Sequence, residues 1–113
     1  SPIIYVQVSE QVLWCTEYIR KEIVTMSVYM ISYDLNSPTR NRKEVEDSIK
    51  SLGAWCKYVS TTFIISTPYN SDYVQNVATK HLDGNDKMVI AKVEKPILGW
   101  LEQDEWNWIH QNI

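Results

Sequence analysis

The chain has 113 residues, of which 44% are hydrophobic and 22% charged, and its formal net charge is −3. This length suits one compact domain with a small core. The acidic balance argues against a strongly basic, non-specific nucleic-acid binder, because such binding needs many Lys or Arg contacts to phosphate, although it permits a local basic patch.

Residues 1–25 are expected to form an N-terminal extension, which is either natural or an added leader, since the first methionine is Met26. The β-branched and aromatic residues at 3–9 predict a short strand. Residues 10–24 carry apolar side chains at helical spacing and predict a helix.

The clearest strand prediction covers residues 27–35, which are apolar on both faces. This pattern is typical of a central strand that is covered on both sides. One face carries Tyr29, Ile31, Tyr33 and Leu35, and the other carries Val28 and Met30.

A helix is predicted over residues 38–52, with Ser37 as its N-cap, Pro38 as its first residue and Gly53 as its stop. Its buried stripe is expected to contain Val45, Ile49 and Leu52.

The rest of the chain alternates between strand and helix signals. Aromatic and β-branched residues predict two strands joined by a bend within residues 57–62. The predicted segments are strands at 54–60 and 61–67, a helix at 71–82, a strand at 87–93 and a last helix at 101–113.

The predicted fold class is α+β, with a ferredoxin-like βαββαβ order over residues 26–113. This order gives a four-stranded antiparallel sheet with two helices on one face, followed by a C-terminal helical tail from about residue 97. The second face of the sheet also needs cover, and a second copy of the chain in a homodimer is the commonest solution.

Two observations favour a cytoplasmic protein without a membrane partner. Cys15 and Cys56 make neither a disulfide framework nor a zinc motif, so we expect free thiols. The sequence has no apolar run long enough for a membrane span and no signal-peptide pattern at its start.

The motifs Tyr33-Asp34-Leu35, Leu52-Gly53 and Ser60-Thr61-Thr62-Phe63, with "LDGNDKMVIAKV" at 82–93, occur in this order along the chain. Together they resemble the Cas2 superfamily of CRISPR-associated proteins, and most of all its SinR-like, Cas2-like branch. The resemblance covers residues 27–113. It implies a homodimer that acts on or with nucleic acid, either as a metal-dependent endonuclease for RNA or DNA or as a non-catalytic scaffold.

Asp34 is the candidate catalytic and metal-binding residue that this resemblance implies, because paired aspartates lie at the family's dimer interface. Two copies of Asp34 could hold one Mg²⁺ or Mn²⁺, whereas one carboxylate alone makes a poor site. The alternative is structural, since Asp at a strand end before an Asn-Ser-Pro loop is a common turn or cap residue.

Arg40, Arg42 and Lys43 lie near the start of the helix predicted at 38–52. Anions bind readily at the start of a helix, so these residues are candidates for nucleic-acid contacts. Ser60 and Thr61 in the hairpin are further candidates. The alternatives are a solvated helix face balanced by acidic neighbours and ordinary hydroxyl residues of a strand.

Trp100, Trp106 and Trp108 make the C-terminal segment rich in tryptophan. Such density is typical of an interface, although large side chains also fill small cores. A protein partner or a toxin–antitoxin role therefore stays open beside nucleic acid, the latter by analogy of fold alone.

Overall fold

The structure is a computed structural model that describes residues 3–7, 21–36 and 38–113. Its elements follow in chain order. They are β1 (Ile3–Gln7), β2 (Lys21–Thr25), β3 (Ser27–Asp34), α1 (Pro38–Lys50), β4 (Ala54–Val59), β5 (Thr62–Thr67), α2 (Ser71–Ala78), β6 (Lys87–Lys92) and α3 (Gln103–Asn112).

Four strands form one antiparallel sheet in the order β4–β5–β3–β6. The longest strand, β3, is central, as its two apolar faces predicted. The α+β class and the four-stranded antiparallel sheet are therefore confirmed, and the arrangement is compatible with a ferredoxin-like fold.

The helix face of the sheet, which carries Tyr29, Ile31 and Tyr33, packs against α1 and α2. Burial of this face supplies the main hydrophobic core. The predicted stripe of α1 is confirmed, since Val45, Ile49 and Leu52 are all buried there. From α2 the core receives Val74 and Ala78, and from β5 it receives Phe63 and Ile65.

Gly53 links α1 to β4 where the backbone approaches β5 closely. Its φ is +156°, and a Cβ at this position would stand 2.2 Å from the carbonyl oxygen of Ser66. Only glycine fits such a position without displacing neighbouring backbone. Gly53, which was predicted to end this helix, is therefore also the residue at which the chain after α1 packs closely against β5.

The opposite, tail face of the sheet carries Val28 and Met30 and packs against the chain's own tail, residues 93–113. Val28, Ile64 and Ile109 are the buried residues of this second core. The second face was expected to be covered by another copy of the chain. At the Val28 end, the chain's own tail provides the cover, because its apolar side chains pack there against β3. The predicted homodimer stays a prediction.

The N-terminal segment differs from the prediction in one respect. Residues 21–25 form strand β2, paired antiparallel with β1, whereas the helical spacing predicted that the helix continues to residue 24. A short apolar run fits both periodicities, and here pairing with β1 favours the strand. The rest of that predicted helix, residues 10–20, and Cys15 lie outside the described residues.

Within the part of the chain that the structure describes, no helix is both long enough and apolar enough to span a membrane.

Candidate functional site

Asp34 is the last residue of β3, on the tail face and beyond the part that the tail covers. Its side chain is exposed, and among the described residues it takes part in no hydrogen bond or ion pair. It lines an open pocket of about 180 Å³ together with Ser32, Lys87 and Val89. A carboxylate without a partner on an open surface is free to bind a ligand.

The two ends of the tail face differ in cover and in polarity. Val28 is 2% exposed beneath the tail, whereas Val89 on the neighbouring strand is 66% exposed beside Asp34. At the open end, the hydroxyl of Thr62 donates to Ser32 Oγ over 3.2 Å. The open end is therefore a small uncovered surface of mixed character, with Val89 exposed beside the polar groups of Ser32, Asp34 and Lys87.

Lys87 stands directly opposite Asp34 in the pairing of β3 with β6. Side chains opposite each other in an antiparallel pair have Cβ atoms about 5 Å apart, so the ammonium group lies within reach of whatever Asp34 binds. Lys87 was not among the residues predicted from the sequence. The sequence shows that Lys87 begins the strand after the acidic turn at 83–86. Only the register between β3 and β6 shows that this position lies opposite Asp34.

Hydrogen bonds to the carboxylate of Asp86 hold the loop after Asp34 against the turn before Lys87. Asp86 accepts from the backbone N–H of Asn36 over 2.8 Å and from the side-chain amide of Asn41 over 2.7 Å. The first bond joins the two loops, and the second joins the turn to α1, so Asp86 ties together the segments next to Asp34 and Lys87.

Arg42 lies on the other side of the sheet from Asp34, on the helix face. Its guanidinium contacts Glu46 at 3.4 Å and the carbonyl oxygen of Ser60 at 3.4 Å, above the ring of Tyr33. These contacts hold the hairpin turn against α1. The structure therefore does not bring Arg42 and Asp34 into one single-chain site.

Glu46 is the centre of this network. Burial alone would raise its pKa, but hydrogen bonds from Lys57 Nζ and the Tyr33 hydroxyl, with the charges of Lys57 and Arg42, hold the pKa below its usual value. Burial, and then the bond to Glu46, raise the pKa of Tyr33. The ionised carboxylate and the neutral phenol are thus the stable forms, which is a structural role and not proton transfer near neutral pH.

The other predicted nucleic-acid contacts are dispersed. Lys43 is exposed and pairs with Asp47 at 2.7 Å, which is the i,i+4 pairing of a solvated helix face. Ser60 and Thr61 connect β4 to β5 as a two-residue turn. Arg40 belongs to α1, but its side chain lies outside the described residues. A role in nucleic-acid binding stays a prediction for all four.

The tryptophans of the tail divide into two kinds. Trp106 and Trp108 are partly buried and pack against the Val28 core. Trp100 is 99% exposed. The tryptophans of the tail therefore combine two side chains that contribute to a core with one that is almost fully exposed.

Cys56, the cysteine that the structure describes, is a half-buried free thiol. Burial and then the nearby charge of Glu105 raise its pKa, which disfavours the nucleophilic thiolate. Among the described residues, no group of three or more His, Cys, Asp or Glu side chains could hold a metal ion.

Comparison with known proteins identifies a shared fold. No family profile matches the chain, and no curated protein matches it. A similar solved structure is the crystal structure of a hypothetical protein, TT1823 from Thermus thermophilus, with 23% identity over 69% of this chain and 96% of that chain, and a TM-score of 0.53. At this identity the likeness concerns the fold alone.

Proposed function

We propose that the chain acts on nucleic acid as a Cas2-like homodimer in which two copies of Asp34 hold a divalent metal ion. The observation that carries the proposal is the exposed Asp34 carboxylate at the open end of the tail face, which has no partner among the described residues. The ferredoxin-like arrangement and the sequence resemblance over 27–113 support it.

The residues present fit a metal better when two chains combine than in a single chain. One chain offers one carboxylate, whereas a two-fold axis beside the end of β3 would offer two. Magnesium is commonly held by one or two carboxylates, with waters and substrate phosphate completing its six oxygen ligands. When bound, Mg²⁺ or Mn²⁺ would neutralise phosphate charge and make a coordinated water more acidic.

The remaining side chains of the open end suit a phosphodiester. Lys87 would pair with a phosphate oxygen, and the Ser32 hydroxyl would donate a hydrogen bond to the same group. Hydrolysis forms a bond between a water oxygen and phosphorus and breaks one P–O ester bond, while a proton passes to the leaving oxygen. The protein's part is to hold the phosphate and to orient the water.

A non-catalytic scaffold is the second candidate, and Lys87 favours it. An ammonium group opposite Asp34 reduces the negative potential that attracts a divalent cation, but it strengthens phosphate binding. In this version the open end binds a nucleic-acid backbone without cutting it.

The test measures cleavage and binding separately for single-stranded RNA and double-stranded DNA, with Mg²⁺, Mn²⁺ or EDTA. For a nuclease, Asp34→Asn should lower the cleavage rate at least about 100-fold and retain binding, while Lys87→Ala should weaken binding. Asp104→Asn, which removes an exposed carboxylate on α3, is the matched control. Binding without cleavage by the wild-type protein under every metal condition refutes the nuclease and supports the scaffold. Absence of both contradicts the two candidates.

A further inference from the structure

The tail loop, residues 94–102 between β6 and α3, carries two large apolar side chains that its own chain leaves in solvent. Leu98 is 87% exposed and Trp100 is 99% exposed, more than any other large apolar residue of the described chain. Other tail residues, among them Trp106 and Ile109, fill the second core, so the fold does not require these two side chains. A fully exposed tryptophan offers a large apolar area for a binding partner to cover.

The backbone of this part of the loop is also open. Among the described residues, no hydrogen bond in the structure involves the backbone of Leu98, Gly99 or Trp100. A Cβ added at Gly99 would meet no atom within 4 Å apart from its chain neighbours. The free N–H and C=O groups can therefore pair with an extended segment of another molecule, which is a common mode of protein recognition.

The charge of the tail limits the kinds of partner. Residues 93–113 carry four carboxylate side chains against the single ammonium group of Lys95, and this difference equals the formal net charge of −3 of the whole chain. Glu94, Glu102 and Asp104 are exposed and flank the two apolar side chains on both sides in the sequence. Such a surface repels nucleic acid and anionic lipid, and it also repels a second copy of the same loop. Charge complementarity therefore selects a partner with a basic surface.

We propose that the tail loop binds a different protein that presents basic side chains around an apolar pocket, with Trp100 as the anchor in that pocket. The acidic residues on both sides would pair with Lys or Arg at the rim of the contact. An apolar centre with a polar rim is the usual composition of a specific interface, and tryptophan is enriched among the residues that dominate binding energy. The contact needs neither the Asp34 surface nor a metal nor nucleic acid, so it goes beyond the proposed function.

Isothermal titration calorimetry with three synthetic peptides, each of about 14 residues, tests the proposal. All three alternate leucine with a second residue, which is lysine, serine or glutamate, so they share their apolar content and differ in charge. At about 50 mM salt the lysine peptide should bind at least about tenfold more tightly than the serine peptide, and the glutamate peptide should not bind. The difference should shrink at about 500 mM salt, because salt screens exposed charges.

Substitutions in the loop show whether the lysine peptide binds there. Trp100→Ala should weaken its binding at least about tenfold, and Trp100→Phe, which keeps an aromatic ring, should restore most of it. Glu94→Gln combined with Asp104→Asn should weaken binding and reduce its salt dependence, while the capping box at the start of α3 stays intact. Glu44→Gln, which removes an exposed carboxylate on α1, is the matched control. All these side chains are exposed, so folded protein is expected, and circular dichroism verifies it.

Three outcomes would overturn the proposal. The first is a lysine peptide that does not bind, or that binds no more tightly than the glutamate peptide. The second is unchanged binding of the lysine peptide by Trp100→Ala, which would locate the contact elsewhere. The third is a Trp100-dependent contact with single-stranded RNA, or with vesicles of phosphatidylcholine and phosphatidylglycerol, that is tighter than the contact with the lysine peptide. Cleavage and binding of nucleic acid through Asp34 are measured separately, so failure of the tail contact leaves the proposed function standing.

Discussion

The stability that the tail adds by burying the sheet can be measured with two valines on the same sheet face. Val28 on β3 is 2% exposed beneath the tail, and Val89 on β6 is 66% exposed beyond it. Truncation of each to alanine removes the same two methyl groups and the same strand preference. The difference between the two substitutions therefore isolates burial by the tail.

The expected cost follows from the buried groups. Two buried methyl groups contribute about 1.6 kcal/mol by transfer, and the remaining cavity raises the loss for Val28→Ala to about 2–3 kcal/mol. Val89→Ala should change the free energy of unfolding by no more than about 0.5 kcal/mol. For 113 residues, roughly 4 °C per kcal/mol places the Val28→Ala midpoint about 8–12 °C lower.

Urea and thermal unfolding followed by circular dichroism provide the measurement. Each variant is unfolded at two protein concentrations tenfold apart, because any contribution from association makes the midpoint depend on concentration. Equal losses for the two valines would contradict the docking of the tail on β3. A double-mutant cycle between Val28→Ala and Ile109→Ala should also show a coupling energy above about 0.5 kcal/mol.

Two further predictions concern stability. Glu46→Gln should lower the free energy of unfolding by about 2 kcal/mol at pH 7, because Lys57 and Tyr33 lose an ionised acceptor. The folded-state pKa of Glu46 is depressed, so its contribution to stability is complete above the unfolded pKa of about 4.3 and is lost as the pH falls through the folded pKa. Urea unfolding of both proteins from pH 7 to pH 3 measures this contribution. A difference in free energy of unfolding that stays constant over this pH range would refute it. Gly53→Ala should cost about 2–3 kcal/mol or more through the clash with Ser66, while Gly84→Ala, with open space around it, should cost under about 0.5 kcal/mol; similar losses on thermal unfolding would show that the backbone at residue 53 relaxes freely.

The sequence predicted the core of the fold well because its signals there are local. Alternating apolar residues in 27–35 place one set of side chains under the helices, and the spacing of Val45, Ile49 and Leu52 defines one helix face. Both patterns follow from the geometry of a single element. The hairpin bend also fell within the predicted range, at Ser60 and Thr61.

The cover of the second sheet face was harder to predict because it depends on distant residues. The pattern of β3 indicates that Val28 is buried, but it does not identify what buries it. Ile109 lies 81 positions later, and its contact with Val28 depends on the path of the whole tail. The β2 strand was missed for a related reason, since only pairing with β1 separates it from a helix.

In the candidate site too, local features could be predicted from the sequence, whereas contacts between distant residues could not. The place of Asp34 at a strand end could be predicted from the sequence, whereas Lys87 becomes its neighbour only through the register of β6. For Arg42 a local signal existed, because Glu46 follows at i+4, the spacing of a helical ion pair. Lys57 and Tyr33 complete that network from two other elements, which the sequence alone does not bring together.

The proposed function requires that two Asp34 carboxylates converge on one divalent metal ion. The most direct measurement is a crystal structure of the protein with Mn²⁺, with data collected to locate the metal by its anomalous scattering. We expect one anomalous peak on a two-fold axis, with a carboxylate oxygen of each Asp34 about 2.0–2.3 Å from it. Two Asp34 side chains more than about 10 Å apart, or Mn²⁺ bound only elsewhere, would contradict it.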